Sequence, residues 1–339
     1  MKLAVVHAQP CESIQRIVFL KTHKTASTTS ASLFQRYGYY RNLTFAVGRN
    51  HILSFSSKFS RRNVLNFPGM RGKAFDMLAN HARYNRGEMD LVVPNATYVT
   101  IIRRPEDQLE SAFGYFEMYR GMNLSKDDHP LRTFMENPMK YYENHKYHMW
   151  QLSRNGQLFD LGLDRQMQEN KSFIEQFIDQ IDKDFDLVMI SEYYDESLVL
   201  MKKLLCWNFE DILYIPAGVR STSHRYLKDE SLVRKMQTWN MGDVMLYNHF
   251  NQSLWKKIDD YGATFDTDLE TFRGLNHAIF KECISPNKTD GRDRREKKYV
   301  LKNETERCSR IIMADVNYTP MIRTSMIERF GLEKGSWES

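Results

Sequence analysis

The pattern of apolar and polar residues predicts a sheet of buried parallel strands. Short apolar runs, rich in β-branched or aromatic side chains and bounded by polar residues, are typical of strands that are covered on both faces. These runs are Ile17–Leu20, Phe75–Leu78, Tyr98–Ile102 and Asp186–Ile190.

Apolar residues at helical spacing follow these runs. After the first run, Leu33, Phe34 and Tyr37 fall on one face of a predicted helix. Further amphipathic helices are predicted from Pro105 to about Tyr119, over Gln168–Ile181 and over Leu198–Leu205. Because strands alternate with helices, we expect an α/β fold in which helices flank a central, mostly parallel sheet.

The remaining segments carry weaker patterns. Leu43–Val47, Ile52–Phe55 and Asp211–Ile215 resemble short strands, and Gly121–Leu163 is expected to be irregular. The irregular segment contains His145 and His148, whose spacing could suit a metal ion, but no third ligand accompanies them, so no metal site is expected. An insert that binds a substrate, or plain packing, explains this segment better.

The loop after the first strand, Lys21–Thr29, carries two lysines and five hydroxyl groups. The helix behind it begins with backbone N–H groups that have no partner inside the helix, and these attract anions. We therefore interpret the segment as strand, phosphate loop and helix. It is not a Walker A motif, because it has no glycine; a capped surface helix with a lysine-bearing loop is the alternative. The residues expected to hold the anion are Lys21, Lys24, Thr25, Ala26, Ser27 and Thr28.

Two further strand ends carry candidate site residues. Arg103 ends one strand, and Ser111 lies eight residues later, about two turns into the next helix. If that helix folds back, the guanidinium and the hydroxyl can reach one phosphate group. His81 follows another strand, at the edge where α/β sheets place their sites. Taken singly, an exposed arginine, an unremarkable serine and a capping histidine would explain the same residues.

These elements are similar to those of a known family. The loop K-T-H-K-T-A-S-T-T resembles the 5′-phosphosulfate loop of Golgi carbohydrate sulfotransferases, and within these the galactose 3-O-sulfotransferase family. Arg103, Pro105 and Ser111 resemble the element with which sulfotransferases recognise the 3′-phosphate of 3′-phosphoadenylyl sulfate (PAPS).

The resemblance extends in order from Ile17 to Trp255. It includes the stretch Phe185–Tyr214 and the motif W-N-x2-D-x2-L-Y-x-H-F-N over Trp239–Asn251. Beyond about Asn276 it becomes weak. We therefore expect a sulfotransferase catalytic domain over residues 12–275 and a C-terminal segment, 276–339, that is packed on it or tethered to it.

The resemblance implies a P-loop-like sulfotransferase fold and an enzyme that moves the sulfuryl group of PAPS to the 3-hydroxyl of a terminal galactose on a glycolipid or glycan. Lys24 would neutralise charge on the leaving phosphate, and Arg103 with Ser111 would hold the 3′-phosphate. The sugar hydroxyl needs a base near neutral pH, for which histidine is suited. His81 is the first candidate and His23 the second. No metal is required for charge balance if Lys24 is present.

Other functions have weaker support. A glycosyltransferase would need a metal-binding D-x-D motif, and Asp184-Phe185-Asp186 precedes its strand instead of following it. A P-loop nucleotide kinase would need loop glycines. Another PAPS-dependent glycan O-sulfotransferase, or a glycan-binding protein that has kept the fold without turnover, stays open as an alternative.

Composition and sequons indicate the compartment. A net charge of +5 suits an anionic donor but does not demand nucleic acid. No apolar run could span a membrane or form a signal-peptide core, so membrane attachment would need an anchor absent from this sequence. The chain has eight N-x-[ST] sequons, whereas chance would give about two to three, which suggests a glycosylating compartment. With the resemblance, this predicts the Golgi lumen. A homodimer is left open. The sequons begin at Asn42, Asn95, Asn123, Asn170, Asn251, Asn287, Asn303 and Asn317.

The cysteines and the basic run lie partly in the C-terminal segment. Of the four cysteines, Cys283 and Cys308 are the favoured disulfide, because they bracket a polar stretch with little apolar content to hold it. Four reduced thiols are the alternative, which the sequons oppose. Arg292–Lys298, RDRREKK, is interpreted as a solvated charged loop.

Overall fold

The computed structural model describes residues 11–144, 147–217, 225–289 and 299–333. Its centre is a four-stranded parallel sheet in the order β2-β1-β3-β4. The strands are β1 (Ile17–Leu20), β2 (Met77–Leu78), β3 (Thr97–Ile102) and β4 (Leu187–Ile190). The α/β fold with a central parallel sheet, predicted from the alternation of strands and helices, is thereby confirmed.

Fifteen α-helices surround this sheet in the described chain. They are α1 (Ser27–Tyr39), α2 (Arg86–Val92), α3 (Pro105–Tyr115), α4 (Met118–Gly121), α5 (Pro130–Glu136), α6 (Pro138–Asn144), α7 (Gly156–Asp160), α8 (Lys171–Asp184), α9 (Tyr194–Leu205), α10 (Phe209–Ile212), α11 (Glu230–Trp239), α12 (Met241–Tyr261), α13 (Phe265–Cys283), α14 (Glu306–Ile312) and α15 (Asp315–Phe330). A small antiparallel pair, β5 (Ile284–Thr289) and β6 (Tyr299–Leu301), follows α13.

The sheet lies in the main hydrophobic core, and every residue of β1 is fully buried. A second core forms between α3, α5 and α11, where Phe113, Phe134 and Met236 are fully buried. Because all four strands are parallel, their carboxyl ends meet at one edge, and the segments that begin at Lys21 and Arg103 leave the sheet side by side.

Several boundaries differ from the sequence predictions for local reasons. The helix expected to reach Tyr119 ends at Tyr115, because Glu117 takes a left-handed conformation with φ of 49°. The segment expected to be irregular contains short helices, two of which begin at Pro130 and Pro138, since proline fits the first turn of a helix. The strand predicted at Asp211 is wrong: Asn208 and Asp211 form a capping box that starts α10.

Two further strand predictions are reduced to single bridges. Phe45 pairs with Met77 and Ile52 pairs with His81, and the residues around them are irregular. Phe45 and Ile52 thus extend the sheet beyond β2 only through these two single bridges.

Both pairs of cysteines form disulfides. The predicted bond between Cys283 and Cys308 is confirmed, and it joins the end of α13 to α14. A second bond links Cys11 to Cys206.

Six of the sequon asparagines are exposed, namely Asn42, Asn95, Asn123, Asn170, Asn303 and Asn317. The basic run Arg292–Lys298 lies outside the described residues. Within the described residues, we find no helix with the length and apolar character needed to cross a bilayer.

The C-terminal helix α15 packs along α1, the helix behind the phosphate loop. Its first residue, Asp315, accepts a hydrogen bond from Lys21 Nζ at 2.5 Å, and both side chains are almost fully buried. One turn later, Thr319 accepts hydrogen bonds from Asn80 and Gln35. Helix α13 runs through the boundary expected at residue 275, and the division into two parts stays a prediction.

The buried ion pair predicts that the C-terminal segment stabilises the loop. Asp315→Asn should lower the free energy of unfolding by about 3 kcal/mol, because an uncompensated lysine charge would remain buried. Urea unfolding measures the change. The matched control is Glu136→Gln, which breaks the exposed pair with Lys235 and should cost about 0–1 kcal/mol. Similar small losses in both variants would contradict the prediction.

Candidate active site

A cleft of about 270 Å³ opens at the carboxyl edge of the sheet. A second cavity of about 250 Å³ adjoins it, and Ala26, Arg103, Ser111 and Ala217 line both. All the site residues expected from the sequence line the first cleft: Lys21, His23, Lys24, Thr25, Ala26, Ser27, Thr28, His81, Arg103 and Ser111. The fold thus brings together residues from three strand ends and two helices.

The phosphate loop has the backbone shape of an anion cradle although it has no glycine. Lys24 and Ala26 take left-handed conformations, with φ of 63° and 68°, which are strained for residues with a Cβ. Alternating conformations of this kind turn successive N–H groups toward one side, where they can bind an anion. Ala26 precedes α1, whose start no side chain caps. The cradle therefore depends on the backbone more than on side chains.

Thr22, which sequence reasoning did not single out, anchors this loop. Its hydroxyl donates to the carbonyl oxygen of Ile101 on β3 at 2.5 Å. Thr25 and Ser27, both expected to contact the anion, instead direct their hydroxyls to Thr22: Thr25 lies 2.8 Å from its Oγ1, and Ser27 donates to its carbonyl oxygen. Thr28 is half-buried and lines the cleft.

The cations of the cleft differ in their surroundings. Lys21 is paired with Asp315, so its charge is balanced inside the protein. Lys24 Nζ lies 3.4 Å from the centre of the Tyr115 ring. Arg103 donates to the carbonyl oxygen of Lys24 at 3.3 Å, and its Nε lies 4.0 Å from Glu192 Oε1. Lys24 and Arg103 thus place basic side chains at the cradle itself.

The two candidate histidines stack on each other. The ring centres of His23 and His81 lie 4.1 Å apart and the planes differ by 13°. His81 Nδ1 lies 3.0 Å from the carbonyl oxygen of Lys21; since a carbonyl only accepts, Nδ1 carries the hydrogen and Nε2 the lone pair. Burial lowers the pKa of His81 well below its ordinary value, and the charges of Lys21 and His23 lower it further. His81 is therefore a neutral ring.

His23 has a different partner. Asp160, at the end of α7, lies 2.9 and 3.0 Å from His23 Nδ1 through its two oxygens, and also accepts the backbone N–H of His23 at 2.7 Å. Asp160 is 3% exposed. No local pattern in the sequence predicts this contact, because the segment around α7 lacks a helical spacing of apolar residues.

Helix α7 also reaches the other anion-binding element. Gln157 accepts a hydrogen bond from the backbone N–H of Arg103 at 2.7 Å and donates to its carbonyl oxygen at 2.8 Å. The start of α7 is held by Asp243, which accepts the N–H groups of Gln157 and Leu158 at 3.0 and 2.9 Å. Asp243 belongs to the motif Trp239–Asn251, and this is the one sequence feature that could have pointed to α7.

A comparison with known proteins identifies the family. The profile of the Galactose-3-O-sulfotransferase family matches residues 2–300. This chain belongs to the galactose-3-O-sulfotransferase family. Mouse galactosylceramide sulfotransferase is 38% identical over 280 residues, which cover 81% of this chain and 65% of that protein. Mouse galactose-3-O-sulfotransferase 3 is 34% identical over 276 residues, 79% of this chain and 63% of that protein. The chain thus spans about two thirds of the length of these relatives.

Among solved structures, a sulfotransferase from Alicyclobacillus acidocaldarius aligns with a TM-score of 0.39 and 12% identity, over 70% of this chain and 96% of that one. The resemblance to the galactose 3-O-sulfotransferases inferred from the sequence motifs is confirmed by the family match and the curated relatives.

In this family member aromatic side chains line part of the cleft. Tyr115 and Phe116, at the end of α3, line it together with His148 and Met149. The rings of Phe116 and His148 lie 5.9 Å apart. His145 lies outside the described residues, so the His145–His148 pair stays a sequence observation.

The D-x-D rival has no support in the structure. Asp184 accepts a hydrogen bond from the hydroxyl of Tyr84, and Asp186 accepts the backbone N–H of Tyr98. Both aspartates precede β4, at the opposite edge of the sheet from the cleft. They act as partners for buried polar groups.

The buried carboxyl of Asp243 predicts a pH dependence of stability. Burial raises its pKa from 3.8 to about 7, against the lowering effect of its two backbone donors. Between about pH 4 and pH 7 the folded state therefore binds a proton that the unfolded state has lost, and the free energy of unfolding falls as pH rises.

Asp243→Asn removes this titration. From pH 5.5 to pH 7.5 the wild type should lose about 2 kcal/mol relative to the variant, as measured by urea unfolding at both values. Asp128→Asn, at an exposed position, serves as control and should run parallel to the wild type. If Asp243→Asn also runs parallel to the wild type, the carboxyl does not titrate in this range.

Proposed function

We propose that this protein transfers the sulfuryl group of PAPS to the 3-hydroxyl of a terminal galactose on a glycolipid or glycan. The observation that carries the proposal is the meeting of two anion-binding elements and two histidines in one cleft. The names of the curated relatives support the acceptor sugar and the position of transfer.

The donor fits the chemistry of the two cavities. The backbone cradle at Lys24 and Ala26 would bind the 5′-phosphosulfate, with Lys24 stabilising the charge that develops on the leaving phosphate. Arg103 and Ser111 would bind the 3′-phosphate, the guanidinium through two N–H groups and the hydroxyl through one. The adjoining cavity, which Tyr194 and Tyr214 line, offers room for the nucleoside.

The reaction is an in-line displacement at sulfur, in which positioning and charge stabilisation dominate. The oxygen of the sugar hydroxyl bonds to sulfur as the bond from sulfur to the 5′-phosphate oxygen breaks. The hydroxyl proton passes to Nε2 of one of the stacked histidines, His81 or His23. The products are a sulfate ester and adenosine 3′,5′-bisphosphate, and no step requires a metal ion.

The surface and the disulfides support a luminal setting for the proposed reaction. Two disulfides and exposed sequons suit the lumen of the Golgi apparatus. In this proposal Tyr115 and Phe116, which line the cleft, face the sugar of the acceptor. The proposed reaction is compatible with a homodimer and involves no nucleic acid.

Donor recognition can be tested by ligand-induced stabilisation. Adenosine 3′,5′-bisphosphate should raise the melting temperature, whereas adenosine 5′-phosphate, which lacks the 3′-phosphate, should do so much less. Arg103→Gln should remove the difference, while keeping the backbone bonds to Gln157. Arg104→Gln, one residue further along, should preserve it. Equal stabilisation of the wild type by both nucleotides would refute the assignment.

The activity itself is tested by transfer of labelled sulfate from PAPS to a panel of galactose-terminated glycolipids and oligosaccharides. Lys24→Ala should lower kcat by about 10²- to 10³-fold, the scale for loss of one group that stabilises the transition state. The exposed Lys126→Ala variant should behave as wild type. No transfer to any galactose acceptor, in protein that binds the bisphosphate, would overturn the proposed acceptor.

A further inference from the structure

The pair formed by His23 and Asp160 is the feature of the cleft that the proposed reaction does not yet use. Asp160 and His23 are 3% and 6% exposed. The carboxylate holds His23 through both the ring and the backbone N–H. Because Asp160 binds both the backbone N–H and Nδ1 of His23, it fixes the position of the ring. It also determines that Nδ1 is the ring nitrogen that bears hydrogen.

We infer that Asp160 is a positioning residue that makes His23, and not His81, the group that accepts the proton of the acceptor hydroxyl. The inference rests on the proposed function and assigns a role within it. It reverses the order in which the sequence ranks the two histidines.

A general base acquires positive charge when it accepts a proton, and its surroundings must stabilise that charge. A histidine that accepts a proton becomes an imidazolium, and a carboxylate on its other nitrogen stabilises that cation. His23 has such a carboxylate in Asp160. His81 has only the neutral carbonyl oxygen of Lys21 on its Nδ1, and the nearby charge of Lys21 opposes a second cation.

The stacking of the rings strengthens this division. With ring centres 4.1 Å apart, two imidazolium rings would repel each other strongly. One ring of the stack can therefore hold the proton while the other stays neutral. Burial and neighbouring charge keep His81 neutral, which leaves His23 as the ring that can become charged.

Asp160 is held firmly enough to act in this way. Its helix α7 is docked at the start of α12, where Asp243 caps it and Asn240 accepts the backbone N–H of Asn155 at 2.7 Å. The contact is close at Gly242, where a Cβ would lie 2.8 Å from Leu158 Cδ1. The motif Trp239–Asn251 thereby acquires a physical role, since it fixes the helix that ends in Asp160.

The transfer moves one proton to His23 and one electron pair to the leaving phosphate. The carboxylate of Asp160 accepts the Nδ1–H hydrogen bond, so Nε2 of His23 carries a lone pair. As the sugar oxygen bonds to sulfur, its proton moves to Nε2, and the electrons of the breaking bond between sulfur and oxygen stay on the 5′-phosphate. The proton leaves His23 to solvent after the products dissociate.

Asp160→Asn tests the inference, because it preserves size but changes which atoms can accept. The amide oxygen can still take the backbone N–H of His23 from the position of Oδ2. The NH₂ group then replaces Oδ1, the oxygen nearer to Nδ1 at 2.9 Å, which favours hydrogen on Nε2. We expect kcat to fall by at least about 10²-fold, the scale for a misdirected general base, with affinity for adenosine 3′,5′-bisphosphate kept within about threefold. Asp164→Asn, four residues further along and half-exposed, should keep turnover within about threefold of the wild type, a change too small for loss of a general base.

A spectroscopic readout separates positioning from a merely structural role. Nitrogen-15 NMR of protein labelled at histidine, assigned with His23→Gln, should show hydrogen on Nδ1 of His23 in the wild type and on Nε2 in Asp160→Asn. In the His23→Gln background, Asp160→Asn should cost little further activity, since residues that act as a unit are not additive.

Three results would overturn the inference: wild-type His23 with hydrogen on Nε2, turnover of Asp160→Asn within about threefold of the wild type, or an undiminished effect of Asp160→Asn without His23. The first needs no Asp160 variant, so an Asp160→Asn protein that fails to fold does not protect the inference. If the wild type transfers no sulfate to any acceptor, the proposed function fails and the proton-transfer role with it. The NMR result then still decides whether Asp160 fixes the ring.

Discussion

Burial of charged groups at the carboxyl edge of the sheet is the constraint on which the rest of this structure depends. The loop after β1 places Lys21 and His23 where water barely reaches them, and each meets a buried carboxylate, whose charge would cost several kcal/mol if it had no partner. Lys21 finds Asp315, 294 residues later, and His23 finds Asp160, 137 residues later. The site is therefore complete only when α7 and α15 are both docked on the sheet.

This arrangement links the stability of the fold to the backbone geometry of the phosphate loop. The strained backbone at Lys24 and Ala26 costs of order 1–3 kcal/mol at each residue and needs surrounding contacts to maintain it. Thr22 supplies them by binding β3 on one side and the hydroxyls of Thr25 and Ser27 on the other. The hydroxyl groups that make this loop look like a phosphate site thus act largely by shaping the backbone that would bind the anion.

The stacked histidines show how similar side chains acquire different properties from their neighbours. Both line the same cleft and both have Nδ1 engaged, but one partner is a carboxylate and the other a neutral carbonyl. Lys21 contributes to the difference twice, since its carbonyl orients His81 and its ammonium group disfavours a second cation there. The ion pair with Asp315 consequently belongs to the electrostatics of the cleft as well as to its stability.

The sequence by itself determined the parallel strands, the phosphate loop, the favoured disulfide and the family motifs, because each is encoded by neighbouring residues or by a short spacing. Residues Ile17–Leu20 can hardly be other than a buried strand, and the loop that follows gathers its donors within nine positions. The tertiary structure alone decided the pairing of His23 with Asp160, of Lys21 with Asp315, and of Arg103 with Gln157. These contacts join segments that share no local pattern, and they form only because folding excludes water from the edge where the strands end.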